Sequence, residues 1–156
     1  MKKYIHLAIL ILLCEIVGAA GTPFTASSIP TWYATLVKPA LNPPNWVFGP
    51  VWTTLYAMMG VAIWLVLRHA ETKKRRADYT WLFLTQLTFN FMWTMVFFGF
   101  KLPWVAFFVI VALWMLIAAC IFRFYESSKL AAYLLIPYIL WVSFAAYLNL
   151  SIALLN

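Results

Sequence analysis

Five long apolar stretches, separated by short polar segments, constrain this chain more than any other feature of its sequence. Each is long enough for a helix that crosses a bilayer, which needs about 20 apolar residues. Because lipid offers no partners to backbone polar groups, helices are the structure that such stretches adopt. The pattern predicts an all-α integral membrane protein, a compact bundle of five transmembrane helices in one domain that covers residues 1–156. The predicted spans are approximately residues 5–26, 44–67, 79–100, 104–125 and 130–154.

The composition and the charge distribution agree with this class. Hydrophobic residues make up 66% of the chain and charged residues 10%, whereas a soluble domain has roughly 45–50% apolar and about 25% charged residues. The net charge of +7 suits either a nucleic-acid partner or a membrane topology signal, and its placement in short loops favours the second. Nine of the 11 Lys and Arg residues fall in segments on one side of the bundle. This asymmetry predicts an inside N-terminus, an outside C-terminus and no nucleic-acid partner.

The first span contains one charged residue, Glu15. A carboxylate at membrane depth usually faces the bundle interior or a water-filled cavity. Two roles remain open for Glu15: a protonated group hydrogen-bonded to a neighbouring helix, and a ligand-binding or proton-relay group. The same span also resembles a cleavable signal peptide, with Lys2-Lys3 before an apolar run. Its apolar continuation through Ile16-Val17 favours a retained helix.

The sequence lacks the residue patterns of redox-active thiols, metal sites, paired catalytic carboxylates, phosphate-binding loops and axial haem ligands. Cys14 and Cys120 lie in apolar runs without a CxxC spacing, so we expect buried inert thiols. The sequence has no paired carboxylates, no Gly-rich phosphate loop and no HExxH motif, and we expect no metal site. His6 and His69 lie at the ends of their spans, so they offer no mid-membrane axial ligand to a haem iron.

The connection between the first two spans is unusually long and rich in Pro, Thr and Ser. It covers Thr22–Asn42, and connections of this length are uncommon without a function. Its Trp32-Tyr33 pair fits an interfacial aromatic belt or a segment that folds back over the bundle. The sequence therefore predicts a long loop, and a lid over the bundle that residues 38–42 anchor is one of its two open roles.

The second span begins with an unusual group of prolines. Asn42 is a candidate N-cap, with Pro43 and Pro44 in the first helical turn. Pro50 is expected inside the helix, where it removes a backbone hydrogen bond and opens the helix. Gly49 beside it allows a ligand or another backbone to approach closely.

Three of the spans carry aromatic and amide side chains on one helical face each. Residues three, four or seven apart share such a face. Amides in hydrocarbon must find partners, so these faces should point inward. Two interpretations remain open: the faces line a pocket for an organic ligand, or they hold the helices together and fill the core. The faces consist of Trp52, Tyr56, Gly60 and Ile63 in the second span, Phe83, Gln86, Asn90, Trp93 and Phe97 in the third, and Pro137, Trp141, Ala145 and Asn149 in the fifth, where Ser143 and Tyr147 form a second polar pair.

These residues and their order resemble the translocator protein / tryptophan-rich sensory protein family, TspO/MBR, also known as the peripheral benzodiazepine receptor family. The resemblance covers essentially the whole chain. The motifs that carry it are Phe24-Thr25, Trp32-Tyr33, Leu36, Lys38-Pro39, Pro43-Pro44, Trp46, Phe48-Gly49-Pro50, Trp52, Leu55-Tyr56, Met59-Gly60, Gln86-Leu87, Asn90, Trp93, Phe97-Phe98, Pro137-Tyr138, Trp141, Phe144-Ala145 and Leu148-Asn149.

The resemblance implies five transmembrane helices, often in a homodimer, and a first loop that closes a ligand pocket. The ligands it implies are porphyrins such as protoporphyrin IX, held without a required cofactor, and isoquinoline carboxamide or benzodiazepine-type drugs. The tentative catalytic residues are Trp52 and Trp141, for porphyrin degradation that depends on light and oxygen. The implied ligand-binding residues are Trp32, Pro43, Pro44, Gly49, Trp52, Tyr56, Gln86, Asn90, Trp93, Trp141, Ser143 and Ala145.

The C-terminal end of the sequence departs from the animal members of that family. Those members carry a basic, tyrosine-bearing cholesterol motif after the fifth span, whereas this sequence ends Ser151-Ile152-Ala153-Leu154-Leu155-Asn156. We therefore expect a bacterial-type member, in contact with lipid in a plasma membrane. Its function is expected to be tetrapyrrole binding. The alternatives are a porphyrin transporter and a ligand-sensing regulatory protein linked to stress, whose basic Arg68–Arg76 segment contacts partners or lipid.

Overall fold

A computed structural model describes residues 2–156, with side chains from residue 4 onward. Met1 and the side chains of Lys2 and Lys3 lie outside the described residues, so the orientation drawn partly from these lysines stays a prediction. The described residues form eight α-helices and no strand. They are α1 (Lys2–Ala20), α2 (Thr22–Ser28), α3 (Trp32–Thr35), α4 (Phe48–His69), α5 (Lys73–Thr94), α6 (Pro103–Tyr125), α7 (Lys129–Leu134) and α8 (Ile136–Leu155).

Successive helices join into five stretches that are long and apolar enough to cross a membrane. The predicted fold class, an all-α membrane protein with five spans, is therefore confirmed. Buried side chains from all five stretches form one core. The stretches are Tyr4–Ser28, Asn45–His69, Lys73–Gly99, Pro103–Tyr125 and Lys129–Leu155.

The long loop predicted over Thr22–Asn42 is not what the structure shows. Its first part is the helix α2, which follows α1 after a single turn at Gly21. Pro23 stands in the first turn of α2, where its missing N–H needs no partner. The Thr25 hydroxyl donates to the Thr22 carbonyl at 3.0 Å, and the Ser27 hydroxyl donates to the Pro23 carbonyl at 2.8 Å. The polar side chains that suggested a loop thus bond within the helix.

The start of the second span also differs from the prediction. Asn42 does not cap the helix, because its side-chain oxygen accepts the Tyr33 hydroxyl at 2.8 Å. Pro44 is extended, with φ −56° and ψ 143°, and a 3-10 turn over Asn45–Val47 leads into α4. Pro50 lies in the first turn of α4 rather than in its interior. An N–H at that position lacks an intrahelical partner in any sequence, so Pro50 opens nothing.

The polar segment Arg68–Asp78, which separates the predicted second and third spans, is helical for most of its length. The helix α5 begins at Lys73 rather than at Tyr79, because the Thr72 side chain caps it by accepting the backbone N–H of Arg75 at 3.1 Å. At its other end, α5 passes into a π-helical turn over Met95–Gly99, and the N–H of Phe100 reaches back to the Met95 carbonyl at 2.9 Å.

A glycine sets the distance between α1 and α4. A methyl group added at Gly60 would lie 2.5 Å from the Cα of Ile11, a distance that real side chains do not show. The backbones of the two helices therefore touch at this point, as is common between membrane helices. This contact fixes α1 against the bundle although most of its outer surface is exposed.

We expect Gly60→Ala to lower the thermal stability of the purified protein in nonionic detergent. The clash with the Ile11 backbone, typically about 1–3 kcal/mol, should outweigh the roughly 1 kcal/mol that Ala gains over Gly in a helix. Gly49→Ala is the matched control, since nothing lies within 4 Å of the added carbon. A Gly60→Ala protein as stable as Gly49→Ala would contradict the close contact.

Candidate ligand-binding pocket

A cavity of about 430 Å³ lies where α1, α5 and α8 approach their C-terminal ends and α4 begins. Its volume is within the range of sites for small organic ligands, roughly 300–1,000 Å³. Four of the five spans contribute to its wall. The lining residues are Glu15, Gly18, Ala19, Gly21, Thr22, Thr25, Ile29, Tyr33, Asn45, Phe48, Gly49, Trp52, Thr53, Tyr56, Trp93, Thr94, Phe97, Phe98, Ala145, Leu148, Asn149 and Ile152.

A layer of stacked aromatic rings forms one wall of the cavity. The Trp52 ring stacks on Tyr56, with centroids 5.7 Å apart and planes 30° apart, and lies 6.4 Å from Trp93. Trp93 in turn stacks on Phe97 at 5.6 Å and 25°. The wall therefore offers flat π surfaces from two helices to a ligand in the cavity.

Buried hydrogen bonds hold the aromatic wall in place. The Tyr56 hydroxyl donates to the Asn90 side-chain oxygen at 2.5 Å, and the Asn90 amide donates to the Tyr138 hydroxyl at 2.8 Å. The Tyr138 hydroxyl donates to the Gln86 side-chain oxygen at 3.0 Å. This network joins α4, α5 and α8. Gln86 and Asn90 thus lie behind the cavity wall and orient Tyr56, rather than lining the cavity themselves.

A second clamp fixes the indole of Trp93. Its Nε1–H donates to the Asn149 side-chain oxygen at 2.9 Å, and the Asn149 amide donates to the Pro103 carbonyl at 2.8 Å. Both groups of Asn149 are therefore paired within the protein. Asn149 ties the wall to α8 and to the start of α6.

The segment between α2 and α4 covers one side of the cavity. Trp32 and Tyr33 pack edge-on against Phe97, at centroid distances of 5.6 and 6.4 Å. Burial raises the pKa of the Tyr33 phenol and the hydrogen bond to Asn42 opposes this rise, so the phenol stays neutral and donates. The Lys38 ammonium lies over the Tyr33 ring, 4.8 Å from its centroid.

The chain end fastens this segment to α8. The Asn156 side chain accepts the backbone N–H of Val37 at 2.9 Å and donates to the Val37 carbonyl at 3.0 Å. It also donates to the Ile152 carbonyl at 2.9 Å. One side chain therefore joins the covering segment to the last turn of the fifth span.

The structure brings only part of the predicted ligand-binding set to the cavity. Gly49, Trp52, Tyr56, Trp93 and Ala145 line it. Trp32 packs beside it on Phe97, while Pro43 and Pro44 lie in the covering segment and do not line it.

Trp141 and Ser143 face away from this cavity. Trp141 packs against Phe48 at 6.0 Å and Phe144 at 5.7 Å, and lines a separate open groove between α4 and α8. Ser143 is exposed on the surface of the bundle, where it accepts the Trp114 indole N–H and donates to the Ile139 carbonyl, both at 2.8 Å. The two tryptophans expected in one pocket thus lie on different surfaces.

The sequence-based site omitted the contribution of the first span. Glu15, Gly18, Thr22, Thr25 and Ile29 line the cavity at spacings of three or four residues. A stripe of one acid and small residues in an otherwise aliphatic span could have indicated from the sequence that this helix lines a cavity. The predicted site was instead drawn from the aromatic motifs of the other spans.

The described part of the chain has no cluster of side chains that could bind a metal ion. Residues 4–156 contain no group of three His, Cys, Asp or Glu side chains placed to hold an ion. Cys14 and Cys120 are free and buried, as predicted from the sequence. The cavity lining offers aromatic rings for stacking and hydroxyl, amide and carboxyl groups for hydrogen bonding.

The sequence is similar to known proteins over most of its length. The TspO/MBR family pattern matches residues 10–155. The tryptophan-rich protein TspO of Chlorobaculum tepidum is 44% identical over 155 residues, which is 99% of this chain and 98% of that protein. The tryptophan-rich sensory protein of Cereibacter sphaeroides is 35% identical over 93% of this chain and 91% of its own. The translocator protein of Homo sapiens is 37% identical over 85% of this chain and 77% of its own.

We expect Asn90→Leu to destabilise the protein by about 1–3 kcal/mol, because it leaves the Tyr56 and Tyr138 hydroxyls without their partner in a medium that lacks water. Unfolding in detergent measures this loss. The matched control is Thr88→Val on the exposed face of α5, whose hydroxyl bonds only to the Leu84 carbonyl one turn away. Equal stability of the two variants would show that the network does not hold the helices.

Proposed function

Because this chain belongs to the TspO/MBR family, we propose that it is an integral membrane protein that binds tetrapyrroles of the protoporphyrin IX type. The single observation that carries this proposal is the stacked aromatic wall of Trp52, Tyr56, Trp93 and Phe97 on a cavity within the spans. A porphyrin is a flat aromatic ring, and an indole or phenyl face is the surface on which such a ring stacks.

The mode of binding follows from the lining residues. No histidine lines the cavity, so the tetrapyrrole is held by stacking and hydrogen bonds rather than through a bound iron. It is the ligand of this protein and not a resident cofactor. Isoquinoline carboxamide and benzodiazepine-type drugs, which carry aromatic rings, use the same wall in this proposal.

The segment between α2 and α4 acts as the lid of this site. Ile29 and Tyr33 from this segment line the cavity. Trp32 and Tyr33 pack on Phe97, and the Asn156 side chain pairs with the Val37 backbone. Opening of the segment breaks these two hydrogen bonds and lifts Trp32 and Tyr33 off Phe97. Ligand entry through this side then leaves the contacts among α4, α5, α6 and α8 in place.

A tryptophan-dependent degradation of the porphyrin is a second candidate function. The observation that favours it is the position of Trp52, an electron-rich indole at the cavity wall in contact with Tyr56 and Trp93. Light excites the macrocycle, and Trp52 gives it one electron, which leaves an indole radical cation and a macrocycle radical anion. Dioxygen takes that electron from the macrocycle and becomes superoxide. The indole radical cation then regains an electron from the macrocycle, which ends oxidised by one electron and open to attack by the superoxide. Trp141 lies outside the cavity, so electron donation is assigned to Trp52 alone.

A protein with this cavity could also serve as a transporter or as a ligand sensor. Uptake of unchanged porphyrin into liposomes identifies a transporter, and ligand-dependent capture of a protein partner identifies a sensor. In either case we propose a bacterial plasma membrane location with the N-terminus inside, in agreement with the placement of Lys and Arg. Membrane lipid and a second copy of the chain are the proposed neighbours.

We expect Trp52→Leu to raise the dissociation constant for protoporphyrin IX roughly tenfold, because it removes one face of the stack. Titration followed by the Soret absorbance measures this constant. The matched control is Trp141→Leu, an equal change on the separate groove, which should alter the constant less than twofold. Equal losses in both variants would contradict the assignment of the cavity.

We expect Trp52→Phe to keep most of the porphyrin affinity, because a phenyl face remains, and to slow porphyrin loss under light at least about tenfold. Absorbance decay of the bound porphyrin in air and in argon measures the rate. If the absorbance of the bound porphyrin decays at the wild-type rate in the Phe variant, Trp52 has no role in degradation. The proposal that the protein binds porphyrin would not be affected.

We expect Asn156→Ala to speed both association and dissociation of protoporphyrin IX while it changes thermal stability little. Two of the three bonds that it removes join the covering segment to α8, and the third lies within the last turn of α8. Stopped-flow Soret measurements give the two rates. Asn42→Ala, which removes the Tyr33 partner within that segment, is the comparison variant. Unchanged rates in Asn156→Ala would show that the segment is not a lid.

A further inference from the structure

The cavity lining contains one acidic side chain and no basic side chain. Among the residues that line it, Glu15 is the one charged side chain, and no Lys, Arg or His stands there. Glu15 lies one turn before Gly18 on α1, at the end of the cavity that reaches farthest along this helix toward its N-terminus. An acid without a neighbouring base thus borders a cavity at membrane depth.

The Glu15 carboxylate has no partner among residues 4–156. Neither of the two ion pairs in this part of the chain includes it, and no hydrogen bond is made to it. The nearby Tyr56 hydroxyl is committed to Asn90. The Lys38 ammonium donates to the Leu36 carbonyl at 3.1 Å and lies over the Tyr33 ring, outside the cavity lining.

An unpaired carboxylate in a membrane cavity favours a cationic ligand. Membrane carboxylates pair with cations or face water-filled paths, because their charge is poorly solvated otherwise. The cavity also presents the rings of Trp52, Tyr56 and Trp93, and aromatic faces attract organic cations by about 0.5–2 kcal/mol each. A carboxylate and aromatic rings around one cavity, without a base, form a receptor for an organic cation.

We propose that this cavity binds aromatic organic cations, such as amines and quaternary ammonium or phosphonium compounds. The positive group pairs with Glu15 and the aromatic body lies against Trp52 and Trp93. This is a second ligand class beside the tetrapyrroles. The inference uses the same cavity but does not depend on a tetrapyrrole being its ligand. Glu15 is the residue that favours a cation over an anion, so the two carboxylates of protoporphyrin IX lie away from it when that ligand is bound.

Tetraphenylphosphonium and tetraphenylborate test this selection, because they have nearly the same shape and opposite charge. Isothermal titration calorimetry in uncharged detergent gives both affinities, with the heats of empty micelles subtracted. We expect the wild-type protein to bind the phosphonium at least about tenfold more tightly than the borate, as for a desolvated charge pair.

Glu15→Gln is the decisive variant, since it keeps the shape of the side chain and removes its charge. We expect its phosphonium affinity to fall about tenfold and its borate affinity to stay the same or rise. Glu15→Asp, which keeps the charge, should recover most of the loss. The matched control is Glu126→Gln, which removes an acid at the end of α6, 3.7 Å from the Arg123 guanidinium and outside the cavity, and should leave both affinities unchanged.

The outcomes separate this inference from the tetrapyrrole proposal. Equal phosphonium affinity in wild-type and Glu15→Gln proteins, or a wild-type preference for the borate, overturns the cation site. A thermal stability measurement on Glu15→Gln confirms that any loss is not unfolding. Soret titration of protoporphyrin IX on the same samples tests the tetrapyrrole proposal by itself, since a wild-type protein that does not bind the porphyrin overturns that proposal whatever the phosphonium result.

Discussion

The hydrogen bonds of the Asn90 side chain hold α4, α5 and α8 in one arrangement. A membrane interior has no water to satisfy an amide, so Asn90 must be paired by side chains of other helices. It accepts from Tyr56 on α4 and donates to Tyr138 on α8, so that one side chain sets the mutual rotation of three helices. That rotation turns Trp52 toward the cavity, because Trp52 and Tyr56 are one turn apart on α4 and stack on each other.

The cavity exists because the remaining elements leave the aromatic wall uncovered on one side. The first span contacts α4 closely at Gly60, but toward its C-terminal end it presents small and hydroxyl-bearing residues to the wall. The π-helical turn over Met95–Gly99 adds one residue to a turn of the third span, and both Phe97 and Phe98 then reach the cavity. At Gly18 the first span touches the wall directly, since an added methyl group would overlap the Tyr56 ring.

Sequence periodicity predicted the fold class and the inward direction of the amides, because hydropathy and unpaired polar groups in lipid act on each helix alone. It did not predict which aromatic side chains share a cavity. A face drawn through every fourth residue turns by about 40° at each step, so Trp141 and Asn149 on α8 point in directions about 80° apart. The predicted first span ended at residue 26, inside α2, and the early start of α5 was missed, because side-chain hydrogen bonds, as at Thr25 and Thr72, decided the local structure.

In the binding mode proposed above, the ligand occupies the cavity between the first span and the Trp52 wall. An experimental structure of the protein with protoporphyrin IX bound tests this placement. We expect a macrocycle in van der Waals contact with the Trp52 ring, with the first span on its other side and Asn90 still bonded to Tyr56 and Tyr138. A macrocycle in the groove beside Trp141, with the cavity empty, would contradict it.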